Sequence, residues 1–414
     1  MNEVFERRRG VLHADGVSVE RIARAAGTPV YVYSASEIRR RLRAFRSAFA
    51  AREHLVCYAL KANSNLAVCR VLAREGAGAD IVSGGELARA LEAGIEPGRI
   101  VYSGVGKTES EMRRALRAGI LAFNVESAEE AEALAAVARR LGRSAPFAVR
   151  LNPDVDAHTH AHVTTGRYGN KFGLPLPEAL AVYRRSLRTR GLRAVGIQCH
   201  IGSQVQRVAP YRAALSALLE AVSAVEAAGV RLRHVDVGGG MGIAYSGGRD
   251  MRPEELAKVL LPSLRGRPDL RLLLEPGRWL VGPAGLLLTK VLFRKSGGGR
   301  RFLIVDAAMN DLLRPALYGA HHAIVPVRQR AGRCERSDVV GPVCESADFL
   351  AKDHLLAPQR PGDFLAVLQS GAYGFSMSSQ YNSRPRAAEV LVDGGRWRVA
   401  RRREDYEDLV RNER

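Results

Sequence analysis

A chain of 414 residues, 46% apolar and 26% charged, can bury a full hydrophobic core, which excludes a disordered or disulfide-stapled polypeptide. Its 63 basic and 43 acidic residues leave a net charge of +20, but the arginines are scattered along helical stretches such as Arg39, Arg40, Arg41 and Arg43, with no basic stripe interleaved with aromatics; no specific nucleic-acid partner is expected. No apolar run approaches the ~20 residues of a membrane helix, no apolar segment follows Arg7, Arg8 and Arg9 as in a secretory leader, and no CxxC pair exists among five dispersed cysteines, so the expectation is a cytoplasmic protein with no membrane partner, no metal site and no disulfide framework.

The opening stretch Met1–Tyr33 has no regular rhythm and is expected to join a later β domain. Eight short β-rich runs follow, at Leu55–Leu60, Ala79–Val82, Ile100–Tyr102, Leu121–Val125, Phe147–Leu151, Ala194–Cys199, His234–Val237 and Arg271–Leu274. Amphipathic Ala/Leu/Arg/Glu segments such as Ser110–Ala118, Ala128–Leu141 and Tyr211–Ala227 separate them. Strands alternating with helices predict a parallel sheet, and eight such units predict an α/β fold of the (β/α)8 TIM-barrel type over 34–282. Beyond it, over 283–414, the runs Leu286–Phe293, Arg301–Asp306, His322–Val327, Asp363–Leu368, Ala387–Val392 and Trp397–Ala400 are separated by Gly, Pro and Asn turns and predict a C-terminal antiparallel β domain, with Gly297–Gly299 as a hairpin loop.

In such a barrel chemistry gathers at the C-terminal ends of the strands. There the sequence places Lys61, then His200 with Gly202 and Ser203, then Gly238, Gly239 and Gly240, then Glu275, Gly277 and Arg278. Each has an ordinary explanation: a solvated lysine, a core histidine, a tight turn, a turn glutamate. Lysine is scarce here, with only seven in the chain, and a lysine at an apolar rim suits Schiff-base chemistry. Backbone N–H groups of a glycine loop suit a phosphate, a flat histidine suits stacking on a ring, and a carboxylate suits a protonated pyridine nitrogen. One cofactor, pyridoxal 5'-phosphate, accounts for all four. Lys61 would carry it, Ser203, Gly239, Gly240, Gly277 and Arg278 would hold its phosphate, Glu275 would pair with its ring nitrogen and His200 would lie on its face.

Longer stretches carry a resemblance. They are Tyr58-Ala59-Leu60-Lys61-Ala62-Asn63, Ser83-Gly84-Gly85-Glu86, His200-Ile201-Gly202-Ser203-Gln204, Glu275-Pro276-Gly277-Arg278, Arg314-Pro315-Ala316-Leu317-Tyr318, Gly341-Pro342-Val343-Cys344-Glu345-Ser346 and Gly371-Ala372-Tyr373-Gly374. With these the chain resembles the diaminopimelate decarboxylases, within the alanine racemase-like, fold type III pyridoxal phosphate enzymes. The Cys344-Glu345-Ser346 run and the Arg314…Tyr318 pair are similar to that branch, since ornithine-type decarboxylases carry Cys-Asp at the first. His158-Thr159-His160-Ala161-His162-Val163 departs from the usual Pro/Tyr-containing loop.

The resemblance implies decarboxylation of meso-2,6-diaminopimelate to L-lysine and CO2, the last step of lysine biosynthesis. It implies a homodimer with shared active sites, in which Cys344, Glu345 and Tyr373 reach the site and Cys344 and Glu345 come from the neighbouring subunit. Cys344 and Lys61 are then the two candidates for proton donor, with His200 as the further catalytic residue. Arg278, Arg314, Tyr318, Glu345 and Tyr373 are implied substrate-binding residues. The rival readings are a related decarboxylase for another basic or carrier-linked amino acid, an amino-acid racemase, and a non-catalytic pyridoxal phosphate carrier, which is usually a lone barrel.

Overall fold

The computed structural model describes residues 4–155 and 171–413. It divides into two compact units, one of Arg41–Ile243 with Arg249–Trp279, the other of Met1–Arg40, Ala244–Gly248 and Leu280–Arg414. Among the described residues no helix is long and apolar enough to cross a membrane.

In the first unit eight parallel strands close into a barrel. They are His54–Ala59, Gly78–Ile81, Ile100–Tyr102, Ala122–Val125, Ala145–Arg150, Leu192–Gln198, His234–Asp236 and Arg271–Leu274, each within a few residues of a predicted run. Helices cover the outer face, so the strands are buried on both sides and their sequences run apolar without alternation. At three strand-to-helix turns a hydroxyl caps the helix: Ser83, Thr108 and Ser127 accept from the backbone N–H of Glu86, Glu111 and Glu130. These caps fix where each helix begins and so shape the rim above the strands.

The barrel is filled in layers. Leu55, Cys57, Val101, Ala122, Val195 and Leu273, from five strands, make a dry cluster. The Cys57 thiol is pushed well up, by burial first and then by the charges of Asp236, Glu275 and Asp80. A buried polar layer therefore lies beside the apolar one. Gly196 is required in the sixth strand because a Cβ there would lie 2.0 Å from Nε2 of the buried His234.

In the second unit the central strand is Gly285–Gly297. Its first half pairs with Val30–Ser34 and Phe364–Val367, its second half with Arg300–Val305. Gly298 and Gly299, both at positive φ, make the hairpin turn that the right-handed strand twist favours. Val30, Val32, Leu286, Leu288, Val390 and Val392 face one core. The alternating Tyr31 and Tyr33 bury their rings and donate their hydroxyls to Asp311 O at 2.5 Å and Glu389 Oε1 at 2.7 Å.

This sheet corrects the antiparallel expectation: it is mixed. Val30–Ser34 runs parallel to Ala388–Asp393, and Arg300–Val305 parallel to Glu335–Val340. Antiparallel neighbours follow from tight turns, and neither pair is joined by one. The first pair joins the two ends of the chain. The second is linked through the helix Arg314–Tyr318 and the strand Ile324–Pro326. Within 283–414 two strands went unforeseen, Glu335–Val340 and Phe349–Leu356. Charged residues such as Glu335, Arg336, Lys352 and Asp353 masked their β pattern.

Candidate active site

The first barrel strand ends in the single 3-10 turn Leu60–Ala62, which carries Lys61. Lys61 Nζ lies 2.7 Å from Oδ2 of Asp80, an acid wholly buried in the second strand. Asp236 ends the seventh strand and Glu275 follows the eighth; both are buried. Gln198 Nε2 donates to Glu275 Oε2 at 3.2 Å, and the Gly238 N–H donates to Asp236 Oδ1 at 2.8 Å. Burial pushes the Glu275 carboxyl well up, and the charges of Asp236 and Asp80 push it further. Asp236 moves up for the same reason, burial first. Each of the two carboxyls therefore holds its proton more tightly than an ordinary carboxylate does.

His200 follows the sixth strand. Burial, then the positive charges of Lys61 and Arg150, hold its imidazole well below the usual value, so it is neutral. The Gly239 N–H points at its Nδ1, 3.2 Å away.

The glycines are dictated by close backbone approach. A Cβ on Gly239 would lie 2.0 Å from Glu275 O, and one on Gly240, at φ +90°, 2.0 Å from Gly202 O. The loops after the sixth, seventh and eighth strands are thereby interlocked. Gly277 packs against Ala59 and Ala62, to within 3.0 Å of where its Cβ would be. Beside it Arg278 Nη2 donates to Ser203 Oγ at 3.1 Å.

These residues fit a bound pyridoxal phosphate. Three buried carboxylates face one lysine, and Asp80 Oδ1 and Asp236 Oδ2 are buried with no hydrogen-bond donor among the described residues. A group bringing a protonated ring nitrogen satisfies that excess of acid. The amide N–H groups of Gly240 and Gly277 take no acceptor among the described residues. With Arg278 and Ser203 they form the donor set an anion needs.

The barrel unit thus brings together Lys61, His200, Ser203, Gly239, Gly240, Glu275, Gly277 and Arg278 at the C-terminal ends of its strands. The second unit holds the other candidates. Arg314, buried, and Tyr318, half-buried, share one short helix. Cys344 and Glu345 are exposed on a loop held to a neighbouring one: the Cys344 N–H donates to Asn382 Oδ1 at 2.9 Å, and the Tyr381 hydroxyl donates to Glu345 Oε2 at 2.7 Å. Tyr373 stands at φ +56°, a conformation a tyrosine rarely adopts. The variant loop His158–Val163 lies outside the described residues.

Asp80, Asp236 and Gln198 were not singled out in the sequence. The signal was there: an acid inside the short runs Gly78-Ala79-Asp80-Ile81 and His234-Val235-Asp236 is a buried charge without an evident structural task. A cavity of about 330 Å³ between the helices Ala128–Arg140 and Leu176–Ser186 is lined by Ala131, Ala135, Leu174 and Val182 and lies on the outer wall of the barrel.

Residues 35–282 match the family described as pyridoxal-dependent decarboxylase, pyridoxal binding domain. The diaminopimelate decarboxylase of Pseudomonas aeruginosa is 51% identical, with 99% of each chain covered. The structure is similar to that of diaminopimelate decarboxylase from Helicobacter pylori complexed with L-lysine, at 43% identity and TM-score 0.92, covering 96% of this chain and 99% of that one. The enzyme from M. jannaschii in co-complex with L-lysine gives 36% identity and TM-score 0.94, covering 99% and 97%. The chain belongs to the diaminopimelate decarboxylases, a family of pyridoxal phosphate-dependent carboxy-lyases.

Proposed function

We propose that this protein removes CO2 from the D-configured end of meso-2,6-diaminopimelate and releases L-lysine. The observation that carries the reading is the set of Lys61, Asp236, Glu275 and the interlocked glycine loops at one end of a closed barrel. Pyridoxal phosphate, when bound, supplies the electron sink that takes up the bond pair as CO2 leaves. Lys61 would hold the coenzyme, with Ser203, Gly239, Gly240, Gly277, Arg278 and Tyr373 around its phosphate. Glu275, backed by Gln198 and Asp236, would stand against its ring nitrogen, and the neutral His200 against its face.

The chain's own groups do the remaining work. Glu275 and Asp236, with their raised proton affinity, keep a proton at the ring-nitrogen end. Arg314, Tyr318 and Arg278 would bind the substrate's carboxylate, Arg314 through its planar fork of donors. Glu345, longer than the aspartate of ornithine-type enzymes, would meet the ammonium of the L-configured end. Cys344 Sγ or Lys61 Nζ would donate the proton that replaces CO2. Arginine and glutamate that require partners at the L-end reject a substrate lacking them.

Cys344 and Glu345 are solvent-exposed in a single chain. That supports a homodimer in which each subunit lends them to its neighbour. The many arginines held in ion pairs, such as Arg24–Glu20, Arg113–Glu109 and Arg249–Glu255, support a solvated surface without specific nucleic-acid affinity. The deciding experiment measures CO2 and L-lysine release from meso-diaminopimelate beside L-arginine and L-ornithine. Turnover of the first alone is expected; equal or greater turnover of either other substrate overturns the assignment.

A further inference from the structure

Gly319, in the left-handed conformation at φ +60°, ends the helix Arg314–Tyr318 and turns the chain back on itself. The return brings His322 beside Arg314. Arg314 Nη1 lies 2.8 Å from His322 Nε2, and His322 Nδ1 lies 3.0 Å from Leu368 O. A guanidinium only donates, and a carbonyl only accepts. Both contacts are therefore hydrogen bonds only if His322 carries its single proton on Nδ1 and offers the Nε2 lone pair to the arginine. The imidazole is 1% exposed. Tyr245 completes the group: the Arg314 guanidinium lies over its ring at 4.6 Å, and its ring meets that of His322 edge-on at 5.1 Å.

We propose that His322, with Tyr245, is the positioning residue that holds the Arg314 guanidinium to receive the carboxylate at the substrate's L-end. The inference rests on the assignment of Arg314 to that carboxylate. Its physical logic is charge conservation. A carboxylate in the place of His322 would hold the arginine equally well but would neutralise it and compete with the substrate. A neutral imidazole, its tautomer fixed by Leu368, orients one edge of the guanidinium while Tyr245 fixes its plane. Neither His322 nor Tyr245 cancels the guanidinium's charge. The two partners come from separate stretches of chain, so the orientation is imposed by the fold and not by the helix on which Arg314 sits.

The test uses the holoenzyme and two competing inhibitors. L-Lysine carries the L-end carboxylate; pentane-1,5-diamine is the same skeleton without it. His322→Phe keeps a flat ring and its packing but removes the acceptor. It is expected to raise KM for meso-diaminopimelate and the inhibition constant of L-lysine by about tenfold or more, with kcat and the diamine constant changed less than about threefold. His322→Gln, which restores an acceptor oxygen, should recover most of the lysine affinity. Equal weakening of both inhibitors, or of neither, overturns the role of His322. Arg314→Met is the companion: if it leaves the lysine-to-diamine ratio intact, the carboxylate assignment itself is wrong. If it abolishes the ratio while His322→Phe preserves it, the assignment stands and the positioning role fails. Should His322→Phe not fold, Tyr245→Leu, which removes only the facing ring, carries the same comparison.

Discussion

The Gly239 backbone N–H points into the lone pair of His200 Nδ1 at 3.2 Å. One contact thus ties the glycine loop after the seventh barrel strand to the imidazole after the sixth. It also assigns the tautomer, because an N–H can only donate and Nδ1 must accept. The imidazole proton is on Nε2, and burial together with Lys61 and Arg150 keeps the ring from gaining a second.

His200 should therefore still be observed as a neutral Nε2–H imidazole at a pH below the ordinary histidine range near ~6.5, because burial and the charges of Lys61 and Arg150 hold its pKa well down. Long-range proton–nitrogen NMR of histidine-labelled protein, with His200→Gln for assignment, reads this directly. A ring that charges between pH 6 and 7 would refute it.

Gly239 and Gly98 make a matched pair for the glycine argument. A Cβ at Gly239 would meet Glu275 O at 2.0 Å, whereas at Gly98 nothing lies within 4 Å. Gly239→Ala should lower stability by about 3 kcal/mol or more and abolish retention of the coenzyme. Gly98→Ala should stay within about 0.5 kcal/mol of the parent. Urea unfolding and coenzyme absorbance after gel filtration report both.

Glu86 offers a test of linkage near the mouth. Burial raises its carboxyl to about 7, with Asp80 adding to the shift and the Val82 N–H opposing it. A raised acid binds its proton more tightly when folded. Its stabilisation is complete below the unfolded value of about 4.5 and is lost as pH rises through about 7. Glu86→Gln keeps an acceptor for Val82 and removes the titration. The apo variant should match the parent near pH 5 less closely as pH rises, becoming relatively more stable by about 1–3 kcal/mol at pH 8. Urea midpoints at pH 5 and 8 decide it; a constant difference removes the assigned shift.

Shared sites predict complementation. Lys61→Ala and Cys344→Ala chains, each nearly inactive, should regain about a quarter of parental activity when unfolded together and refolded as a mixture. Half of the dimers are then mixed, and each mixed dimer has one intact site. Absence of rescue, with mixed dimers shown by mass spectrometry, places Cys344 in its own subunit's site or outside any site.

The barrel was legible because its strands are covered on both faces and its helices on one. Leu55–Leu60 or Ala194–Cys199 stand out as short apolar runs whatever surrounds them. The residues that end those runs, Lys61, His200, Gly238–Gly240 and Glu275, were legible for the same reason: polar or glycine positions interrupt an apolar rhythm. Asp80 and Asp236 were harder to see because they lie inside strands, where their purpose depends on which other strands are adjacent. The mixed order of the second sheet was hidden altogether, since Val30–Ser34 and Ala388–Asp393 are neighbours from opposite ends of the chain.

The sequence by itself determined periodicity, and with it the eight-fold βα repeat, the lysine at the rim and the glycines that tolerate close backbone approach. Only the tertiary structure decided which charges meet. The raised proton affinities of Asp236 and Glu275, the Lys61–Asp80 ion pair and the fixed tautomer of His322 all arise between segments distant in the chain. Burial and Coulomb interactions depend on separation in space, which local composition does not encode.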